Sequence, residues 1–402
     1  MTTPPQSETP LHIGMLWHSF ESENLGVGAL TVGNCRLIAD ALVGTGRRPV
    51  FHIIGARGRM DYRFETPFEN DFVNIGYKAL ATPGSTLHRT LARCDLFFDI
   101  GAGDSFSDIY GWKRYGLILA SKRAAARHGP LIMSPQTIGP FATMRSRIGA
   151  RHVMRQAKTI FARDGKSFAV LKEMGVSDRS RLTTDVAFAL PYVPASDKAA
   201  RDLAKGPIRV GVNVSALLFR RDISEGDRIK MTVDYPALIE AILARLARDP
   251  RVTLHLVPHV LASDETYEDD YAVAEGLKAR HPDVVLPPRF AGPSAAKSYV
   301  ANLDLLIGSR MHATIAALGS DTAVLPLGYS RKFSGLFGSL GYPLVGDLTS
   351  QSQDELIALL DVALGDVPAL TKAARTANIE AQARLDRYRA YLVDLFATWP
   401  LS

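Results

Sequence analysis

The stretch LDLLIGSRMHATIAALGSDTAVLPLGYSRKFSGLFGSLGY, residues 303–342, sets Arg310 and His312 two positions apart behind an apolar run. That run passes through Gly308-Ser309-Arg310 into small residues, which predicts a strand turning directly into a helix over 311–318. At a helix start the unpaired amides and the dipole favour an anion. Arginine grips a carboxylate or phosphate through two nitrogens, and histidine exchanges a proton near neutral pH. Ser309 shares the turn, and Lys332, behind the next apolar run, extends the same basic site. Loss of Arg310 is expected to cost ligand affinity and to spare the fold.

Other strand ends carry polar groups of a different kind. FFDIGAGDSFSDIYGW places Asp99, Asp104 and Asp108 at or beyond the end of an apolar run, with Gly101 and Gly103 beside them. A carboxylate there serves as general base toward a hydroxyl or binds sugar hydroxyls. Asp108 equally suits the cap of a helix starting near Tyr110. PLIMSPQTIGPF brings Gln136 to a strand end, and TIFARDGKSF sets Arg163 and Asp164 directly behind another. Asp164 reads as an N-cap and Arg163 as a fork for phosphate or carboxylate, with Asp185 a further candidate.

The first loop, MLWHSFESENLGVGALTVGN, holds Asn24, Gly26 and Gly28 between a strand and a helix. Its glycines admit close approach of backbone to a ligand, but the spacing is not the dinucleotide fingerprint, so NAD is not expected. His255 and His259 flank Pro258 at a strand end, so one of them is a candidate lining residue. No His, Cys and carboxylate cluster has metal-ligand spacing, and no nucleophile elbow occurs, so neither metal nor cofactor is expected.

The elements that must hold these residues alternate. Short apolar runs are predicted as strands near 12–17, 50–54, 95–100, 131–134, 159–162 and 182–184. A second series falls near 209–214, 253–257, 284–286, 305–307 and 323–325. Helices are predicted over 28–43, 112–128, 144–157 and 166–174, then 235–247, 265–279, 294–301, 311–318 and 354–364. This is the pattern of an α/β chain of parallel sheets with crossover helices. The polar, proline-flanked stretch 191–207 reads as a linker between two such series. The expected division is therefore 1–190, the linker 191–207, 208–365, and a C-terminal helix in 366–402. Two doubly wound domains facing a cleft would place ligands at the carboxyl ends of the strands.

Composition sets the outer bounds. The 402 residues exceed one ordinary core, and 47% hydrophobic with 22% charged residues exclude disorder, collagen and coiled coil. Two cysteines cannot build a disulfide framework, which points to a reducing compartment and a cytoplasmic enzyme. The net charge of +6 gathers locally, at Arg47–Arg63 and along Arg145, Arg147, Arg151, Arg155 and Lys158. Such clusters attract phosphorylated substrates or anionic lipid, and no nucleic-acid-binding signature accompanies them. With no apolar run long enough to span a bilayer, the expectation is peripheral association with the cytoplasmic membrane face through residues 147–158.

The ordered runs PQTIGPF, ARDGKSFAVLKEMG, TTDVAFALP and IGSRMHATIAALGSDTAVLPLGYSRKFSGL resemble the polysaccharide pyruvyl transferase family. The resemblance spans Asn24 to about Gly341. It implies Rossmann-like domains arranged as in the B-type (GT-B) glycosyltransferases, the first on the acceptor side and the second on the donor side. It implies transfer of pyruvate from phosphoenolpyruvate to hydroxyls of a polysaccharide or its lipid-linked precursor, giving a pyruvate ketal.

The family's Arg-x-His motif falls on Arg310 and His312, and its Arg-Asp pair on Arg163 and Asp164. Donor binding is accordingly expected at Ser309, Arg310, His312, Lys332 and Arg163. Acid or base roles fall to His312, Asp104 or Asp99, and acceptor binding to Asn24, Gly26, Asp104 and Gln136. Two departures stand out: Val27 occupies the place of an acid in many relatives' first loop, and Ala102 interrupts the glycine turn. The alternatives are a nucleotide-sugar glycosyltransferase of GT-B type and a non-catalytic sugar-phosphate binding protein.

Overall fold

The computed structural model describes residues 8–194, 206–220, 230–262 and 268–400. Among these the chain divides into two compact units. The first is the chain up to Ser22, with Leu30–Ala189 and the residues from Gln382 onward; the second is Glu23–Ala29 with Leu190–Ala381. Residues 195–205 of the expected linker, and 265–267 of the helix expected from 265, lie outside the described residues.

The first unit begins with β1 (Thr9–Leu16), α1 (Leu25–Leu42, whose opening turn belongs to the second unit), β2 (Arg47–Gly55) and β3 (Glu69–Asn74). Then come α2 (Tyr77–Ala81), α3 (Thr86–Arg93), β4 (Leu96–Asp99), α4 (Trp112–His128) and β5 (Leu131–Gln136). α5 (Met144–Gln156), β6 (Thr159–Ala162), α6 (Gly165–Glu173) and β7 (Ser180–Leu182) complete the series. All pairings are parallel, in the order β3-β2-β1-β4-β5-β6-β7. The order reverses between β1 and β4, the switch point where doubly wound sheets hold ligands.

The second unit runs through β8 (Ile208–Asn213), α7 (Ala216–Phe219), α8 (Tyr235–Ala247), β9 (Val252–Leu256) and α9 (Asp270–Arg280). It continues with α10 (Pro293–Ala301), β10 (Leu305–Gly308), α11 (Met311–Leu318), β11 (Ala323–Gly328) and α12 (Arg331–Ser339). β12 (Gly346–Asp347), α13 (Gln353–Gly365) and the long α14 (Val367–Ala397) follow, α14 ending in the first unit. This sheet is also parallel, ordered β12-β11-β10-β8-β9, with its switch point between β8 and β10.

Burial explains why apolar runs became strands. β4, β5, β6, β10 and β11 are buried at every position, as expected of strands covered by helices on both faces. β3, ENDFVN, escapes an apolar-run criterion because it is a polar edge strand with a single buried residue. The strand expected at 284–286 is only an isolated bridge between Val285 and His255. The C-terminal helix expected within 366–402 runs over Val367–Ala397. Inside the first unit its Tyr388 hydroxyl donates to Asn34 Oδ1 at 3.0 Å and lies 3.2 Å from Ser134 Oγ. Asn34 Nδ2 in turn reaches Ser134 Oγ and His18 Nε2, both at 3.0 Å. One described helix, α1, is long and apolar enough to cross a bilayer, and it is mostly buried in the fold.

Candidate functional site

The second unit gathers most of the expected donor residues at its switch point. β8 and β10 run side by side and end together, Gly308 against Asn213. Asn213 Oδ1 accepts the Arg310 amide at 2.8 Å, while its Nδ2 donates to the Val257 carbonyl at 2.8 Å. That amide side chain ties the β10–α11 turn to the end of β8 and to the residue that follows β9. Ser309 is fully buried and accepts a hydrogen bond from the Tyr235 hydroxyl at 2.8 Å. Arg310 is the N-cap residue of α11, yet no side chain caps that helix. His312 follows in the first turn, half-buried, and Lys332 stands half-buried in the first turn of α12.

Asp270, at the start of α9, orients Arg310. Its carboxylate accepts from Arg310 Nη2 at 2.8 Å and Nε at 3.1 Å, and from the amides of Ala216 and Val260 at 2.8 and 3.0 Å. Burial opposes the charge on Arg310, but the Asp270 carboxylate outweighs it and holds the guanidinium above its ordinary value. Nη1 makes no hydrogen bond among the described residues. The expectation that loss of Arg310 spares the fold is therefore corrected. With Asp270 fully buried, removing Arg310 strands a carboxylate in the interior.

The first loop belongs to this same site. Asn24 Oδ1 accepts the Gly26 amide at 3.0 Å, the Leu25 amide donates to the His259 carbonyl at 3.1 Å, and Asn24 bridges Val260. Gly26 lies against the His312 ring: a Cβ there would sit 2.7 Å from its Cγ and closer still to Nδ1. Glycine at 26 is thus required by the imidazole beside it, and the expected acceptor residues Asn24 and Gly26 sit with the donor set.

The remaining candidates lie in the first unit. Asp99, at the end of β4, is fully buried, ion-paired with Lys122 of α4, and accepts from Gln136 Nε2 at 3.0 Å. Burial of Lys122 pushes its pKa down, opposed by Asp99. Gln136 is fully buried too: its Nε2 donates to Asp99 and the Ser134 carbonyl, while its Oε1, like Asp99 Oδ1, is buried without a hydrogen-bond partner. Neither presents an exposed face to a sugar hydroxyl. Asp104 does, being half-buried and accepting from the Tyr110 hydroxyl at 2.7 Å. It leaves a turn in which Gly101, Ala102 and Gly103 all have positive φ, 54°, 48° and 87°. A left-handed alanine costs about 1–2 kcal/mol, the price of glycine's replacement there.

Arg163, buried, pairs with Asp185 through Nη1 at 2.7 Å, while its Nε is buried without a hydrogen-bond partner. Asp164 is the N-cap of α6, accepting the Ser167 amide at 2.7 Å, as its position suggests. Asp108 does not cap α4, whose N-cap is Gly111; its Oδ2 instead accepts the Ala142 amide at 2.8 Å. Asp270 escaped the sequence reading because it lies 40 residues from Arg310 within the acid-rich run DETYEDDY.

Two parallel, doubly wound sheets define a protein with the Rossmann-like GT-B fold, and solved structures agree. HepE from Anabaena, described in complex with UDP, matches with a TM-score of 0.56 at 14% identity, over 96% of this chain and 98% of its own. The MnaA–UDP co-structure from S. aureus matches at 0.60 and 11%, over 97% and 99%. Acinetobacter baumannii MurG matches at 0.52 and 15%, over 97% and 100%. The family model for polysaccharide pyruvyl transferase matches residues 36–331, from within α1 to the start of α12. The chain belongs to the polysaccharide pyruvyl transferase family.

Proposed function

We propose that the protein transfers pyruvate from phosphoenolpyruvate to two hydroxyls of a sugar, on a polysaccharide or its lipid-linked precursor. The observation that carries this reading is Arg310, fixed by Asp270 and Asn213 at the uncapped start of α11, with His312 two residues on. A cation and an uncapped helix start contributed by one turn suit a ligand bearing both carboxylate and phosphate.

In this reaction His312 protonates the methylene carbon, which makes the second carbon electrophilic. A sugar hydroxyl adds there and gives its proton to a base, for which we assign Asp104. The carbon–oxygen bond to phosphate then breaks, and the second hydroxyl closes the ketal as its proton leaves with the phosphate. Arg310, Ser309 and Lys332 hold the donor. Arg163, through its unpaired Nε, is the second guanidinium we assign to it. Asn24 and Gly26 hold the loop that positions His312.

A second reading is a nucleotide-sugar glycosyltransferase, favoured by the UDP in the HepE and MnaA structures. A nucleotide's diphosphate suits the same helix start.

We also propose that the protein works at the cytoplasmic membrane face. α5 exposes Met144 and Ile148 along with Arg145, Arg151 and Arg155. Ile109 and Trp112 are exposed nearby, since Asp108 holds the start of α5 and Trp112 packs on Tyr115, whose hydroxyl donates to Ser146. Apolar side chains ringed by arginine match an anionic leaflet, each basic residue adding about 1 kcal/mol.

Two experiments test these claims. The protein is incubated with phosphoenolpyruvate and a panel of nitrophenyl and vesicle-borne lipid-linked sugars, and the sugar's mass is followed. Pyruvate addition with loss of water is the expected product; release of nucleotide from a nucleotide sugar, with phosphoenolpyruvate untouched, would establish the second reading instead. Sedimentation with anionic but not neutral vesicles, weakening with salt, is expected, and binding indifferent to both would refute the membrane claim.

A further inference from the structure

We infer that His259 is a further ligand-binding residue of the β8–β10 site, its neutral imidazole donating a hydrogen bond to an anionic oxygen held beside Arg310 and His312. His259 follows β9 and is 3% exposed. Its backbone is fixed on both sides: the amide donates to Asp270 Oδ2 at 3.3 Å and the carbonyl accepts from Leu25. Yet both ring nitrogens, Nδ1 and Nε2, are buried without a hydrogen-bond partner among the described residues. Its charged neighbours are His312 and Arg310.

A histidine kept for packing is treated differently in this same chain. His18, fully buried in the first unit, lies 3.0 Å from the Leu16 carbonyl through Nδ1 and 3.0 Å from Asn34 Nδ2 through Nε2. A buried polar group without partners carries a desolvation cost that an apolar side chain of similar size avoids. His259 carries that cost twice, at a position held by the carboxylate that orients Arg310. Those nitrogens have a use only when a ligand reaches them.

The ring's charge state fits the task. Burial first, then His312 and Arg310, push its pKa down to about 3, so it stands as a neutral imidazole near pH 7. A neutral ring has one N–H donor and one lone pair. It can donate to a phosphate or carboxylate oxygen without adding repulsion against Arg310 in the unliganded protein. The chemical class of ligand is an oxyanion, either a phosphomonoester or a carboxylate. That the oxyanion is phosphoenolpyruvate rests on the function proposed above.

The test compares wild type with His259→Leu and His259→Phe, using calorimetric titration with inorganic phosphate and, separately, phosphoenolpyruvate, alongside thermal melts. Affinity for phosphate should fall roughly 10- to 100-fold in both variants, the range for a hydrogen bond to a charged group. Melting temperatures should hold or rise, because an unsatisfied polar ring has been removed. Wild type binding phosphate but not phosphoenolpyruvate, with the variants weakened, would support the inference and refute the donor assignment. Unchanged affinity in a folded variant overturns it, as does a wild type that binds neither anion. Failure of both variants to fold also overturns it, since the ring would then be structural.

Discussion

Two helices in this molecule begin the same way and end up with opposite electrostatics. α6 and α11 each follow a buried strand, and each is preceded by an arginine ion-paired with a buried aspartate, Arg163 with Asp185 and Arg310 with Asp270. At α6 the next residue, Asp164, turns its carboxylate onto the amide and hydroxyl of Ser167. At α11 the arginine itself is the N-cap, no side chain caps the turn, and His312 occupies it. One helix start is capped by the protein's own carboxylate, and the other carries no side-chain cap, which is the state an anion would complete. The motif residues Arg-Asp and Arg-x-His thus differ by more than a spacing: the aspartate in the first closes what the second leaves open.

Arg310→Ala should give the largest effect and break the comparison at its centre. It strands the Asp270 carboxylate, costing about 3–5 kcal/mol of stability, and weakens phosphoenolpyruvate binding by roughly 10- to 100-fold. Arg163→Ala should cost similar stability through Asp185. Because stability and affinity fall together, the sharper variant is the pair Arg310→Met with Asp270→Asn. It should recover much of the stability, read by chemical denaturation, and none of the affinity, read by calorimetry. Recovery of both would mean that Arg310 only supports the fold.

Next in size is Gly26→Ala. Its methyl would occupy space held by His312 Nδ1 and Cγ, so the ring or the loop must shift. Overpacking of this kind costs about 1–3 kcal/mol. Turnover should fall more than donor affinity, because Arg310 keeps its contacts to Asp270 and Asn213. Equal losses in KM and kcat would show that the loop carries the donor rather than the proton.

Much of this was legible in the chain. β6 and α11 fall where their residues predict, because TIFA and MHATIAAL are apolar stretches bounded by clear turns. The polar partners were not. Lys122 sits in WKRYGLILASKRAAARH, where it looks like one more surface cation, yet it is fully buried against Asp99. A carboxylate at a strand end reads as a general base until its lysine is found 23 residues away on the following helix. His312 and Gly26 are separated by most of the chain, so the close approach that demands glycine has no local signal. Sequence reports which groups stand at strand ends; only packing reports which of them are already spent.

Asp164→Ala should have the smallest effect, and it tests the closed side of the comparison. Asp164 is 4% exposed and accepts both the amide and the hydroxyl of Ser167, whose oxygen also accepts the Ile138 amide at 3.0 Å. Loss of an N-cap carboxylate costs about 0.5–2 kcal/mol. The buried setting and the second acceptor role argue for the upper half of that range. Asp164→Ser keeps an acceptor for the helix amide without the charge, so it should recover part of the loss in denaturant titration. If α6 is closed because the protein itself occupies its amides, neither variant should change phosphoenolpyruvate affinity while Arg163 stays paired with Asp185. A folded Asp164→Ala protein whose donor affinity drops more than a few-fold would mean that the carboxylate also orients Arg163 toward the donor.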